Sequence, residues 1–434
     1  MTITRRAALG TALAVSVIRT ARAAPVAIDL FFPVPVQGKL AVEMQRLIGQ
    51  FNAANPDIVV TPVYTGSYDD TNLKTRAALA AGRPPAVAIM SANFIREYAI
   101  DNQAISLDPL IARDNLTPDA FMAKFWPALK LNAMEQGHVF GVPFQNSTPL
   151  LFINDKAFQD AGLNPGRPLA TWAEWVDAGK KLSTSGKSGI VMPSTYDYCG
   201  WITSALVMSN GGQYYNVDYG GEVYYDAPTT RTTLQFIDDV VHKHKIMPTG
   251  TMDANAATGA FFSGHAGTML LSTGALGFVR ENMKTPFRVA YLPRNIQNAA
   301  PIGGGSLIIP TGNSEERQAA AWTLIQFLTS PAIAAGWSRF TGYFAPNRAA
   351  YDLPEMKQYL AQDTNARVAL DQLNEHGRGW FATYKTVPVR KAMEDQVQAI
   401  LSGTTKPADA ATSAQKAADA LLEPYVAQTA GKLS

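Results

Sequence analysis

The sequence predicts an α/β protein built as two domains, and three observations carry the prediction. Strand-like and helix-like runs alternate from residue 28 to residue 90, with crossovers long enough for parallel pairing. The alternation breaks near residues 139–154, and a second set begins there. The chain's 434 residues also exceed one ordinary core, because single domains mostly run to roughly 100–200 residues. With 47% hydrophobic and 17% charged residues the chain has the apolar content of a folded protein, not of a disordered one.

Residues 28–32, Ile-Asp-Leu-Phe-Phe, open as a buried strand, and Leu40, Met44, Leu47, Ile48 and Phe51 then recur at helical spacing. Asn55 and Pro56 stop that helix, and residues 58–64 read as a second strand. A helix through Leu79 ends at Gly82, and residues 86–90 follow as an apolar strand. In the second set, residues 150–153 read as a strand, 172–182 as a helix and 189–192 as a strand. Residues 195–227, rich in Tyr, Gly and Asp, read as irregular surface, and 260–276 and 289–292 as further strands. The stretch 301–309 reads as a flexible glycine turn running into a strand. Helical segments then dominate, with Ala411, Ala414, Ala418, Leu421 and Leu422 on one face.

The N-terminus reads as an export signal at residues 1–23. Arg5 and Arg6 form a twin-arginine start, an apolar stretch follows over 7–18, and Ala21-Arg22-Ala23 gives a small-x-small cleavage site. That stretch is about 12 residues, short of the ~20 that cross a bilayer as a helix. Without Arg5, Arg6, Arg19 and Arg22 the 37 basic residues fall to 33 against 35 acidic, so the net charge of +2 becomes −2. A mildly acidic body is not the footprint of a nucleic-acid or anionic-membrane binder. No second long apolar run follows, so no membrane span is expected, and the single cysteine, Cys199, excludes an intrachain disulfide framework and a cysteine metal cluster.

Catalytic signatures fail. The sequence holds no G-x-S-x-G elbow, no H-E-x-x-H and no phosphate loop. His242 and His244 lie two apart without an acidic or cysteine partner and read, with Lys243 and Lys245, as a solvated face, so neither a metal nor a cofactor is expected. The informative polar residues sit in apolar or glycine-rich settings: Ser147 between Asn146 and Thr148, Ser272 at the end of an apolar run, Tyr343 after Gly342, and Arg390 after Val387-Pro388-Val389. Hydroxyls, glycine backbone N–H groups and one arginine fork suit an oxyanion such as a phosphate.

Read in order, these pieces resemble the periplasmic solute-binding proteins of ABC importers, and among them the glycerol-3-phosphate/glycerophosphodiester-binding branch. The matching stretches are residues 51–57, 65–68, 143–149, 154–158, 161–163, 171–172, 302–307 and 341–343. The resemblance implies a type II, two-lobed periplasmic-binding-protein fold, each lobe a mixed sheet flanked by helices, with the ligand in the interlobe cleft. The chain would cross between lobes near 146, 303 and 346, giving one lobe of 25–146 plus 303–345 and another of 147–302 plus 346–434. It further implies a monomeric, non-catalytic periplasmic protein that delivers a small organophosphate to permease subunits.

The family's ligand contacts fall on Tyr68, Ser147, Ser272, Gly304, Tyr343 and Arg390, with Arg390 and Tyr343 expected to carry the anion. Trp201 matches an aromatic wall residue, and a second family tryptophan falls close to Tyr198. The acidic residue that grips glycerol hydroxyls in the family falls on Ala92, which cannot accept a hydrogen bond through its side chain. The anion end is therefore expected to be kept and the polyol end changed. A neutral oligosaccharide is the rival ligand, with Arg390 as the discriminator. A periplasmic hydrolase is a remote alternative, and a chemosensory second role shares the same fold.

Overall fold

The computed structural model describes residues 24–34, 38–167, 169–196, 198–380 and 382–430. The export segment read at 1–23 lies outside them. Strand β1 (Val26–Pro33) is followed by helix α1 (Leu40–Ala54), whose buried face is Leu40, Met44, Leu47, Ile48 and Phe51, the stripe read from the sequence. Each such side chain contributes about 1.5–3 kcal/mol by leaving water. Strand β2 (Ile58–Gly66) leads into α2 (Tyr68–Ala80), and β3 (Val87–Ser91) and β4 (Val142–Ser147) follow. Next come β5 (Pro149–Asn154), α3 (Trp172–Leu182), β6 (Ser188–Val191), α4 (Tyr198–Ser209) and α5 (Ala254–Phe262). Strands β7 (Ala266–Ser272), β8 (Phe287–Ala290) and β9 (Gly303–Ile308) precede the helices α6 (Glu315–Leu328), α7 (Pro331–Thr341), α8 (Thr386–Leu401) and α9 (Pro407–Thr429).

Two sheets result. The first has the order β2-β1-β3-β9-β4 and the second β8-β5-β7-β6. Strand β1 runs parallel to β2 and β3, as the alternation predicts, but β9 is antiparallel to both β3 and β4. In the second sheet β6 and β7 are parallel while β5 is antiparallel to β7 and β8. Both sheets are therefore mixed. The chain leaves the first sheet at Ser147, enters the second at Pro149 and returns to the first at Gly303. Residues of α6 and α7 join the core of the first sheet, and those of α8 and α9 join that of the second, with Ala411, Ala414, Ala418 and Leu422 buried.

Four sequence expectations are corrected. Residues 198–209, read as part of an irregular surface, form a core helix with every residue from Cys199 to Ser209 buried. An all-round apolar helix has no 3.6-residue polar alternation to reveal it. Within 260–276 only Ala266–Ser272 is strand; the part before it closes α5, capped at Asp253, whose side chain accepts from Ala256 N. Gly303, Gly304 and Gly305 are not a turn before a strand but its first three residues. His242 is also less solvated than expected, since its Nε2 lies 2.8 Å from Ile400 O. Among the described residues no single helix is long and apolar enough to cross a membrane.

Candidate functional site

Strand ends set the site. Register places Ser147 of β4 beside Gly303 of β9, and Ser272 of β7 opposite Pro149 of β5, so both serines sit where their sheets face each other. Between the sheets lies a cavity of about 290 Å³ whose wall includes Tyr68, Ser147, Tyr198, Trp201, Ser272, Gly304 and Tyr343. These are seven of the nine residues singled out from the sequence. The other two are elsewhere. Ala92 is buried in the turn after β3, with its neighbour Ser91 on the wall instead, and Arg390 is buried in the second turn of α8, behind the wall.

Glycines permit the close approaches that shape this cavity. Gly304 has φ +87°, and a Cβ there would overlap the carbonyl oxygen of Gln145 on the neighbouring strand. A Cβ on Gly303 would lie 2.7 Å from the Trp201 ring, and one on Gly274 would lie 2.6 Å from the ring of Tyr343. Trp201 is held further by its Nε1, which donates to Pro301 O at 3.3 Å.

The polar groups are ordered in the same way. Tyr68 opens α2, where Ser67 and Asp70 close a capping box, and its hydroxyl accepts from Gln145 Nε2 at 2.7 Å. Ser272 Oγ accepts from Gly274 N at 3.0 Å. Tyr343 follows the left-handed Gly342 that ends α7, and its ring lies parallel to Trp337 with centroids 6.4 Å apart. Burial, reinforced by the neighbouring Tyr68 and Tyr198, pushes its hydroxyl well above the usual phenol range. It therefore remains a protonated donor at neutral pH.

Arg390 has carboxylates on two sides. Its Nη2 donates to Asp69 Oδ2 at 2.6 Å, and its Nε lies 3.1 Å from Glu394 Oε1. Glu394 Oε1 also accepts from Gly200 N at 3.0 Å. Burial raises the Glu394 carboxyl above its ordinary range, opposed first by Arg390 and then by the Gly200 N–H. Asp69 belongs to α2, which packs on the first sheet, and Arg390 to α8 over the second, so the pair joins the two halves of the molecule.

Sequence reasoning missed several wall residues. Trp380 stands edge-to-face to Trp201 with centroids 6.5 Å apart, and two hydrogen bonds with the Asn132 side chain fix its backbone. A lone aromatic between helices carries no local pattern that marks it. Tyr64, Tyr196 and Asp70 also line the cavity. The Ser67-to-Asp70 spacing was readable as a helix start, though not as a cavity rim. Among the described residues no group of three or more His, Cys, Asp or Glu could hold a metal ion.

A cavity between two open mixed sheets, walled by aromatic rings and hydroxyls, defines a protein that holds a small polar solute between two lobes. The chain belongs to the bacterial extracellular solute-binding protein family, whose model matches residues 46–364. It is 27% identical over 410 residues to the sn-glycerol-3-phosphate-binding periplasmic protein UgpB of Yersinia enterocolitica, covering 90% of this chain and 91% of that one. The UgpB of Escherichia coli O1:K1 is 26% identical over 422 residues, covering 91% and 92%. Among solved structures, UgpB from Mycobacterium tuberculosis in complex with glycerophosphocholine superposes with a TM-score of 0.82 at 25% identity, over 93% of this chain and 100% of that one. The maltose/maltodextrin-binding domain MalE of Bdellovibrio bacteriovorus, bound to maltotriose, gives a TM-score of 0.78 at 19% identity, over 92% of this chain and 100% of that one; at that identity the likeness is one of fold.

Proposed function

We propose that this protein is the extracellular solute-binding component of an ABC importer, capturing a glycerophosphodiester or glycerol-3-phosphate and delivering it to the permease. The observation that carries this reading is the full-length likeness to the glycerophosphocholine-bound M. tuberculosis protein, at a TM-score of 0.82. The chemistry of the site supports it. Tyr343 and Ser147, with the Gly304 N–H, offer neutral donors, and Arg390 offers the one full positive charge assigned to the anion. The rings of Trp201, Tyr198 and Trp380 would cover the carbon skeleton. With Ala92 in place of an acidic residue, the polyol end falls to Ser91 and its neighbours.

The lobes are assigned as 25–146 with 303–345, and 147–302 with 346–434. The placement of β9 in the first sheet and of α8 and α9 on the second core favours this division. The mature chain acts as a periplasmic monomer exported through the twin-arginine route, and it binds without catalysing a reaction.

A neutral sugar is the second reading, because the cavity wall carries no lysine or arginine among the described residues. Thermal unfolding with glycerophosphocholine, sn-glycerol-3-phosphate and maltose separates the two. A ligand at a hundredfold excess over its dissociation constant adds about 2.7 kcal/mol of stability. Stabilisation by the phosphorylated compounds is expected; a shift with maltose alone would refute the organophosphate reading.

A further inference from the structure

Arg390 is the arginine to which the proposed function gives the ligand's phosphate, and two carboxylates already hold it. Asp69 Oδ2 is 2.6 Å from its Nη2 and Glu394 Oε1 is 3.1 Å from its Nε. One guanidinium between two carboxylates carries a net charge of −1. Asp69 Oδ1 and Glu394 Oε2 are both buried without a hydrogen-bond partner, so neither carboxylate is fully satisfied within the trio. Adding a phosphate to the full trio would crowd three anions round one cation in a buried setting, where like charges repel strongly. An anion is held at Arg390 most favourably if one carboxylate leaves.

The two carboxylates are not equivalent. Glu394 is fully buried, lies one turn along α8 from Arg390 and is pinned by the Gly200 N–H. Gly200 approaches so closely that a Cβ there would fall 2.8 Å from Glu394 Oε1. Asp69 has a side chain 30% exposed, sits in the first turn of α2 on the opposite half of the molecule, and directly follows the wall residue Tyr68. Of the two carboxylates, Asp69 is the one with solvent beside it.

We propose that Asp69 is an internal anion that competes with the ligand's phosphate for Arg390, and so sets the selectivity of the cleft for charged over neutral solutes. This rests on the reading of Arg390 as the ligand's arginine. A phosphate displaces the Asp69 carboxylate from Nη2 while Glu394 keeps the guanidinium in place through Nε. A neutral sugar lacks the charge to make that exchange.

The test is isothermal titration of the full mature chain and its Asp69→Asn variant with glycerophosphocholine, sn-glycerol-3-phosphate, inorganic phosphate and maltose. Asparagine keeps the size and an acceptor but removes the competing charge. The phosphorylated probes should bind the variant about tenfold more tightly, with maltose unchanged. Phosphate probes that bind the variant no more tightly than the native chain would overturn the inference while leaving the organophosphate reading intact. Phosphate probes that bind only the variant would support the inference and refute the native function. If no phosphorylated probe binds either chain, both fall. Asp69→Ser, which also removes the charge, gives the same readout should the asparagine variant fail to fold.

Discussion

Replacing Arg390 by methionine tests the buried charges directly. Methionine keeps an unbranched apolar stem and removes the guanidinium, leaving Asp69 and the fully buried Glu394 without their cation. Removing one partner of a buried ion pair costs about 3–5 kcal/mol. The 30% exposure of Asp69 lets water take over part of its share, so the lower end, about 3 kcal/mol at neutral pH, is expected. The loss should depend on pH in one direction. Burial already holds the Glu394 carboxyl above its ordinary value, and Arg390 is the largest influence against that rise. Without Arg390 the folded-state value climbs further. An acid whose folded value exceeds its unfolded one binds more protons in the folded state, so stability falls as pH rises through that window and levels off above it. The deficit should therefore be largest above the raised folded value and shrink as pH falls towards the unfolded value, where Glu394 folds as the neutral acid. Urea denaturation of both chains followed by circular dichroism, at about pH 7.5 and about pH 5, measures this. A deficit below about 1 kcal/mol at both pH values, or one that does not shrink on acidification, would refute the account of a buried trio held by Arg390.

Two further substitutions address the wall. Tyr343→Phe removes a buried donor whose hydroxyl stays protonated, so affinity for a phosphorylated ligand should fall about tenfold, roughly the ~1.5 kcal/mol of a hydrogen bond to a charged group, as read by titration calorimetry. Unchanged affinity would remove Tyr343 from the ligand. Gly304→Ala puts a Cβ against Gln145 O at a φ of +87°, which should cost about 1–3 kcal/mol in urea denaturation and weaken binding by distorting the pairing of β9 with β4. Native stability in that variant would show that the close strand approach is not required.

The parts of the fold that could be read from the sequence are those where a face alternates. Helix α1 shows its apolar stripe because the opposite side is wet, and β1, β2 and β3 stand out as short apolar runs bounded by Pro and Gly. Helix α4 does not, because burial on all sides erases the period, and the nearby Tyr196 and its own Gly200 suggest loop. The direction of β9 was also out of reach. Whether a returning strand pairs parallel or antiparallel depends on where the chain has travelled between residues 147 and 303, and local composition does not encode that.

The wall residues Ser147, Ser272 and Gly304 could be singled out because small polar residues and glycines in apolar strands need a reason to be there, and a cavity is such a reason. Arg390 stood out for the opposite reason, as a charge beside an apolar segment. Its environment could not be read. Asp69 lies 321 residues away in sequence and looks like an ordinary acidic residue in the first turn of a helix, favourable there for its own sake. Only the packing of α2 towards α8 turns that helix-end carboxylate into Arg390's partner. This also changes what the charge arithmetic means. A body of −2 can hold an anion if one buried arginine is reserved for it, but here the arginine is balanced by carboxylates before any solute arrives. The selectivity of the cleft then depends less on how much positive charge it contains than on how readily Asp69 gives it up.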